Sequence, residues 1–310
     1  MTTQIDIADL DVIYLSYDEP QKEKFWAEIK NMVPWAKRVD GVDGSDAAHK
    51  AAAAASETER FILIDGDNMP EEDFFDLTFE FADAEWENAV YRWRALNEIN
   101  GLMYGNGGIS SWTRTFINNM RTHENTDGAS ENDVEFCFYP NYWAMHDSYS
   151  TTYPNATPFQ AWRAGFREGV KMCLDRGKRP TLSEFKNRIN HRNLDHLTIW
   201  HNVGRDVDNG VWAMLGARMG TYMLMINPSW DHRQVQDFSA LKLIYDTIDG
   251  HNPEHILARI SPDLHTQLDL PMVMLDENAS KFFKRHYRSN WHNQGIMVRE
   301  IDVIRRQEGW

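Results

Sequence analysis

The sequence predicts an α/β protein: a Rossmann-like, mostly parallel central sheet flanked by helices, with a helical C-terminal extension. Three observations lead there. Through the first 70 residues, short apolar runs alternate with amphipathic or alanine-rich segments, the order that builds a parallel sheet with crossover helices. The apolar run Phe61-Ile62-Leu63-Ile64 stops at Asp65-Gly66-Asp67, so a buried strand ends in two carboxylates one residue apart. Beyond residue 150 the strand signals give way to segments with helical spacing.

Residues 11–16, DVIYLS, are a short apolar strand ending at the polar turn Tyr17-Asp18-Glu19-Pro20. Over 21–30, Phe25, Trp26 and Ile29 recur at helical spacing in a polar segment. Residues 37–39 are a strand that runs into glycine turns. Ser45 caps an alanine-rich helix over 45–56, and 61–64 is the next strand. Residues 70–100 are acidic and aromatic, with strand pieces around 89–94. The stretch 104–114, YGNGGISSWTR, holds too much glycine for a helix; it is a loop entering a short strand, followed by a helix over 112–120. Residues 128–138 are a loop and then a helix, and 139–149 a late strand. Two prolines among polar neighbours in 151–160 mark a boundary. It divides residues 1–150 from a mainly helical region, 151–310. That region opens on a basic amphipathic helix over 159–176. A second helix covers 183–190, and a buried apolar Gly/Met-rich segment 207–226.

Composition narrows the function. No run of 18 apolar residues exists, so no membrane span is expected. The acidic start MTTQIDIADLD lacks an apolar signal region, and Cys137 and Cys173 form no framework. Both point to a cytoplasmic protein with reduced cysteines. The net charge of −15 argues against a plain nucleic-acid binder. The charge is uneven, however. Residues 1–150 carry 11 basic and 29 acidic side chains, whereas 151–310 carry 21 and 18. Basic residues concentrate in 160–192 and 281–306, where they are either solvated helix faces or a surface for a polyanion.

Four constellations carry chemistry. Residues i and i+2 of a strand share a side, so Asp65 and Asp67 together suit a hard divalent cation; the same tripeptide also serves as a plain turn. The loop Gly105-Asn106-Gly107-Gly108 lets a ligand approach the backbone closely. Glu131-Asn132-Asp133 stands at an expected helix start, as an N-cap or an acidic site. His146 ends an apolar-aromatic strand, as a core residue or a ligand.

In their order, these motifs resemble the GT-A fold of glycosyltransferases, in particular the inverting family-2-like enzymes, over about residues 10–150. The resemblance implies that Tyr17 and Asp18 meet the nucleotide and Asp40 reads its base. It further implies that Asp65 and Asp67 bind Mn2+ or Mg2+ and the nucleoside diphosphate, that Gly107 and Gly108 cradle the donor sugar, and that His146 completes the metal site. Asp133 is then the catalytic base; NDVEF stands where Glu-Asp is usual, so Asn132 replaces the Glu. The stretches DVIYLSYDEP, VPWAKRVDGVDGSDAAHKAA and FILIDGDNMPEEDFF are similar to glycosyltransferases of tailed bacteriophages and to the kinetoplastid base J glucosyltransferase. That likeness implies transfer of glucose or arabinose from a UDP-sugar onto 5-hydroxymethylcytosine or 5-hydroxymethyluracil in double-stranded DNA, in an infected host cell. The duplex is then expected on Arg163, Arg167, Lys171, Lys178 and Arg179, and on Lys281, Lys284, Arg285 and Arg288. Two alternatives stand beside this: a protein or polysaccharide acceptor, and a non-catalytic GT-A binding module.

Overall fold

The computed structural model describes residues 3–81, 88–104, 108–120 and 142–287. Its described strands are β1 (Thr3–Asp6), β2 (Asp11–Ser16), β3 (Lys37–Asp40), β4 (Arg60–Asp65), β5 (Asn68–Pro70), β6 (Thr78–Phe81), β7 (Val90–Asn97), β8 (Met103–Tyr104), β9 (Ile109–Thr113) and β10 (Tyr142–Thr152). β1 and β6 pair antiparallel as a small separate sheet. The main sheet runs β3-β2-β4-β9-β7-β10-β5, with β8 beside β7.

β2 pairs in parallel with both β3 and β4, as the alternating pattern requires. The next strand inward, β9, is antiparallel to β4 and to β7. It therefore returns β7, and β10 parallel to β7, to the direction of β4. The sheet is thus mixed: parallel neighbours flank the reversed β9, and the short β5 and β8 run antiparallel to β10 and β7. As a result, the C-terminal ends of β2, β3, β4, β7 and β10 all reach one edge.

Alternation along the strands decides what each face packs. Val12, Tyr14, Ile62 and Ile64 join Phe25 and Ile29 of α1 (Lys22–Met32) in one core. Ile13, Phe61, Leu63 and Trp112 join Ala52 and Ala53 of α2 (Ser45–Ala55) and Ile117 of α3 (Arg114–Asn119) in another. Because β2 and β4 are buried on both faces, they read as continuous apolar runs.

The helical part comprises α4 (Pro158–Lys171), α5 (Phe185–Arg188), α6 (His191–Asn202), α7 (Gly210–Met225), α8 (Phe238–Asp246), α9 (Pro253–Leu268) and α10 (Glu277–His286). α4 stops at Lys171, short of the expected 176. The chain turns there: Asp175 and Lys178 exchange backbone hydrogen bonds around Arg176 and Gly177, both left-handed. Similarly, the helix expected over 183–190 is one turn, α5. The Gly/Met-rich segment is α7, largely buried. α4 and α7 meet backbone to backbone. A Cβ on Gly165 or Gly169 would collide with the carbonyls of Ala213 or Ala217, and one on Gly216 or Gly220 with those of Trp162 or Phe166. The helix expected over 128–138 lies outside the described residues.

Candidate functional site: an acidic cluster at the sheet edge

The shared edge gathers the turn after β2, the end of β3, Asp65-Gly66-Asp67 after β4, the start of β9 and the end of β10. Backbone hydrogen bonds fix these pieces. The Asp65 amide donates to the Gly108 carbonyl at 2.8 Å, and the Tyr153 amide to the Asp67 carbonyl at 2.8 Å. From below, the Tyr14 hydroxyl donates to the Gly66 carbonyl at 2.8 Å.

Glu19 folds onto this group. Its carboxylate accepts from the Tyr17 amide at 2.7 Å, and a Cβ on Gly66 would stand 2.5 Å from it. Asp65, Asp67 and Glu19 therefore share one recess. Asp65 keeps an open surface to water, but protein hems in its carboxyl. This enclosure, then the charges of Asp67 and Glu19, pushes it up to about 7. Asp67 is pushed up to about 6 by the same enclosure and by Glu19. The Arg163 charge and a hydrogen bond from the Thr152 hydroxyl pull the other way. Two mutually repelling carboxylates at a strand end, Asp65 and Asp67, offer oxygen donors of the kind a hard divalent cation takes. Among the described residues, no three His, Cys, Asp or Glu side chains form a group that could hold a metal ion by themselves. Two carboxylates are enough where phosphate oxygens finish the coordination, as is usual for Mg2+.

The other expected donor residues line the same edge. Tyr17 is 47% exposed, and its hydroxyl donates to Asp43 at 3.3 Å; Asp18 is exposed. Asp40 accepts from Lys22 at 2.8 Å and from the Ser16 hydroxyl at 2.7 Å. The Lys22 bond is the main force holding its carboxyl below the ordinary range. Gly108 has φ +44°, and a Cβ there would overlap the side chain of Asn68, which follows Asp67. The glycine loop is thus pressed against the acidic tripeptide. Gly107 and Asp133, with Glu131 and Asn132, lie outside the described residues.

His146 lies on β10, its side chain outside the described residues. β10 reaches the cluster through Thr152, six residues later and roughly 20 Å further along an extended strand. β10 brings the Thr152 hydroxyl to the cluster. Thr152 carried no signal in the sequence, whereas Glu19 did: it belongs to the polar turn that follows β2.

The basic residues fall into different settings. Arg163 and Arg167 lie over the Phe238 ring, 4.3 and 5.1 Å from its centroid. Lys171 pairs with Glu168 at 3.8 Å, and Lys178 closes the turn with Asp175. Arg179 donates to the Pro228 carbonyl at 2.8 Å and to that of Trp230, stapling two loops. Lys284 pairs with Asp206 at 2.7 Å and donates to the Glu98 carbonyl at 3.0 Å. Lys281 pairs with Glu277 at 2.6 Å. Arg285 is exposed in the last turn of α10, and Arg288 lies outside the described residues.

Gly66→Ala tests the cluster. The new methyl group meets only the tip of the flexible Glu19 side chain, so the melting temperature should move little. Mn2+ affinity, read by calorimetry, should fall roughly tenfold, the scale of disturbing a group that orients metal ligands. Unchanged affinity would remove Glu19 from the site.

The structure thus defines a mixed α/β protein with an acidic site at the edge where parallel strands end. No family model and no curated protein matches the chain. Among solved structures it is similar to a glycosyltransferase involved in the glycosylation of the major capsid of PBCV-1, at 11% identity. The similarity covers 47% of this chain and 94% of that one with a TM-score of 0.30, too low to carry an argument.

Proposed function

We propose that the chain is a metal-dependent GT-A glycosyltransferase that moves glucose or arabinose from a UDP-sugar to the hydroxymethyl group of 5-hydroxymethylcytosine, or of 5-hydroxymethyluracil, in DNA. The observation that carries the transferase reading is the meeting of Asp65, Asp67 and Glu19 at the C-terminal edge of β2, β3 and β4, where open α/β sheets bind nucleotides. The motif order supports it.

On this reading Asp65 and Asp67 hold Mn2+ or Mg2+. When bound, the cation neutralises charge that grows on the departing nucleoside diphosphate. Tyr17 and Asp18 line the nucleotide, Asp40 faces its base, and Gly108 leaves room for the sugar. Asp133 takes the acceptor hydroxyl's proton as the new bond forms. Arg285 and Arg288 remain candidates for DNA phosphates, which position a duplex without reading its sequence.

A second reading keeps sugar transfer but gives it a protein or polysaccharide acceptor. Two observations favour it. Arg179 and Lys284 are engaged inside the chain. The cavity beside Tyr153, about 570 Å³, is lined by Glu98, Asp206, Asp208, Asn155 and Asn209, a polar and acidic wall that suits hydroxyl groups better than phosphates.

Incubating the protein with UDP-glucose or UDP-arabinose, Mn2+ and hydroxymethylated DNA, then resolving nucleosides by mass spectrometry, separates these readings. Glycosylated nucleoside that disappears in chelator is expected. UDP release without modified nucleoside would move the acceptor to the second reading, and no release with any acceptor class would defeat the transferase. Asp133→Asn should slow transfer about 10²–10⁴-fold, the usual contribution of a general base, with donor affinity unchanged; near-normal turnover would exclude Asp133 as the base.

A further inference from the structure

We propose that Arg163 is a diphosphate-binding residue of the acidic cluster, holding the phosphates of a nucleoside diphosphate ligand. The assignment rests on the donor-site reading above and departs from the sequence expectation, which places Arg163 on DNA.

The first ground is position. Arg163 lies on α4, in the helical part, yet the charges of Asp18, Asp67 and Glu19 all act on it. They come from the turn after β2 and the tripeptide after β4, so α4 presents a cation to the strand edge. The influence is mutual, since Arg163 is the positive charge that acts on Asp67.

The second ground is how the side chain is held. Its guanidinium lies over Phe238 at 4.3 Å and over Phe159 at 5.4 Å. Stacking engages the face of the planar group and leaves its edge, with five N–H donors, directed outward. Among the described residues, Arg163 makes no ion pair within 4 Å and donates no hydrogen bond. An arginine that faced the carboxylates merely as their counter-ion would close onto one of them. This one is kept apart by its rings, with its donors unused.

A gap between carboxylates and a fixed cation suits a cation-bound diphosphate. Asp65 and Asp67 would hold the metal, and the guanidinium, whose fork matches phosphate oxygens two at a time, would hold the diphosphate beside it. A DNA backbone fits this place poorly. Its phosphates would have to approach three carboxylates without a metal between, and the rest of the strand would face the acidic edge.

The test uses the full chain and two probes, inorganic pyrophosphate and UDP, titrated by calorimetry in Mn2+. Arg163→Gln should weaken pyrophosphate and UDP roughly 10–100-fold, the effect of losing charge-assisted hydrogen bonds. Uridine and Mn2+ alone should bind as in the wild type. Arg163→Lys should recover part of the loss, because it restores the charge without the fork. Phe238→Leu should lose less than Arg163→Gln, since it keeps the charge and removes only the stacking. If Arg163→Gln does not fold, Arg163→Lys and Phe238→Leu decide alone. Wild-type pyrophosphate affinity in Arg163→Gln, or in the two substitutes where they must decide, would overturn the assignment. So would a salt slope for DNA lowered by about one unit with pyrophosphate unaffected, which would return Arg163 to DNA. If the wild-type chain binds neither probe in Mn2+, the donor-site reading itself fails, and the role of Arg163 with it.

Discussion

Asp67→Asn should melt at a higher temperature than the wild-type chain at pH 8 in chelator, and should lose the stabilisation that Mn2+ gives the wild type. Both effects come from one source. In the fold, burial and repulsion from neighbouring carboxylates push the carboxyls of Asp65 and Asp67 up to about 7 and about 6, against about 3.9 in an unfolded chain. The folded state therefore binds more protons than the unfolded one between about pH 4 and 7. Stability falls as pH rises through that window, and the full penalty stands above pH 7. Removing one charge relieves it. Because Asp67 is only half-buried and water screens its charge, the gain should be about 1 kcal/mol. At pH 4 the two proteins should melt alike. Mn2+ that binds only the folded wild type should reverse their order at pH 8 by mass action. A variant that melts lower at pH 8 in chelator, or that Mn2+ still stabilises as much as the wild type, would contradict the assignment of the cluster. The site thus works against stability until a cation arrives.

The largest loss of stability should follow Gly165→Ala or Gly216→Ala. Ala is ordinarily the better residue inside a helix, by about 1 kcal/mol. Here that gain is outweighed. The added Cβ of either variant meets a backbone carbonyl of the facing helix, Ala213 for Gly165 and Trp162 for Gly216. A carbonyl cannot rotate aside as a side-chain tip can, so α4 and α7 must move apart. Overpacking of this kind costs about 3 kcal/mol or more, which in a chain this size lowers the melting temperature by roughly 5 °C or more. A calorimetric melt within a degree or two of the wild type would mean that the two helices adjust freely. Arg163 lies on α4, so the same variants should also weaken pyrophosphate binding.

The parts of the fold legible in the sequence are those set by local pattern. β2 covers the residues read from DVIYLS, and α1, β3, α2 and β4 fall within two residues of their expected ends, because strands buried on both faces and a capped alanine run leave strong local signals. β5 and β8, of three and two residues, are too short to leave one. The reversal of β9 is a matter of pairing, which no periodicity within a strand encodes. At the site, Asp65 and Asp67 could be placed at a strand end from their own neighbours. The approach of Glu19 to Gly66 could not, since it depends on where the turn after β2 folds back. Arg163 shows the same limit more sharply. Its spacing from Arg167 and Lys171 was visible as a helix face, but the acidic edge which that face meets lies about a hundred residues earlier in the chain.

The bond from Lys284 to the carbonyl of Glu98 spans 186 residues. During synthesis at about 5–20 residues per second, the ribosome needs roughly 10–40 s to travel that distance. For the last part of that interval Asp206, whose side chain is 4% exposed in the finished protein, has no lysine to neutralise it. The nascent helical part can pack around Asp206 without its Lys284 partner only imperfectly, so final closure must await α10, nearly the last described segment to leave the tunnel. A nascent chain halted before residue 277 should therefore remain open to protease around 204–209 and close there only once α10 has emerged.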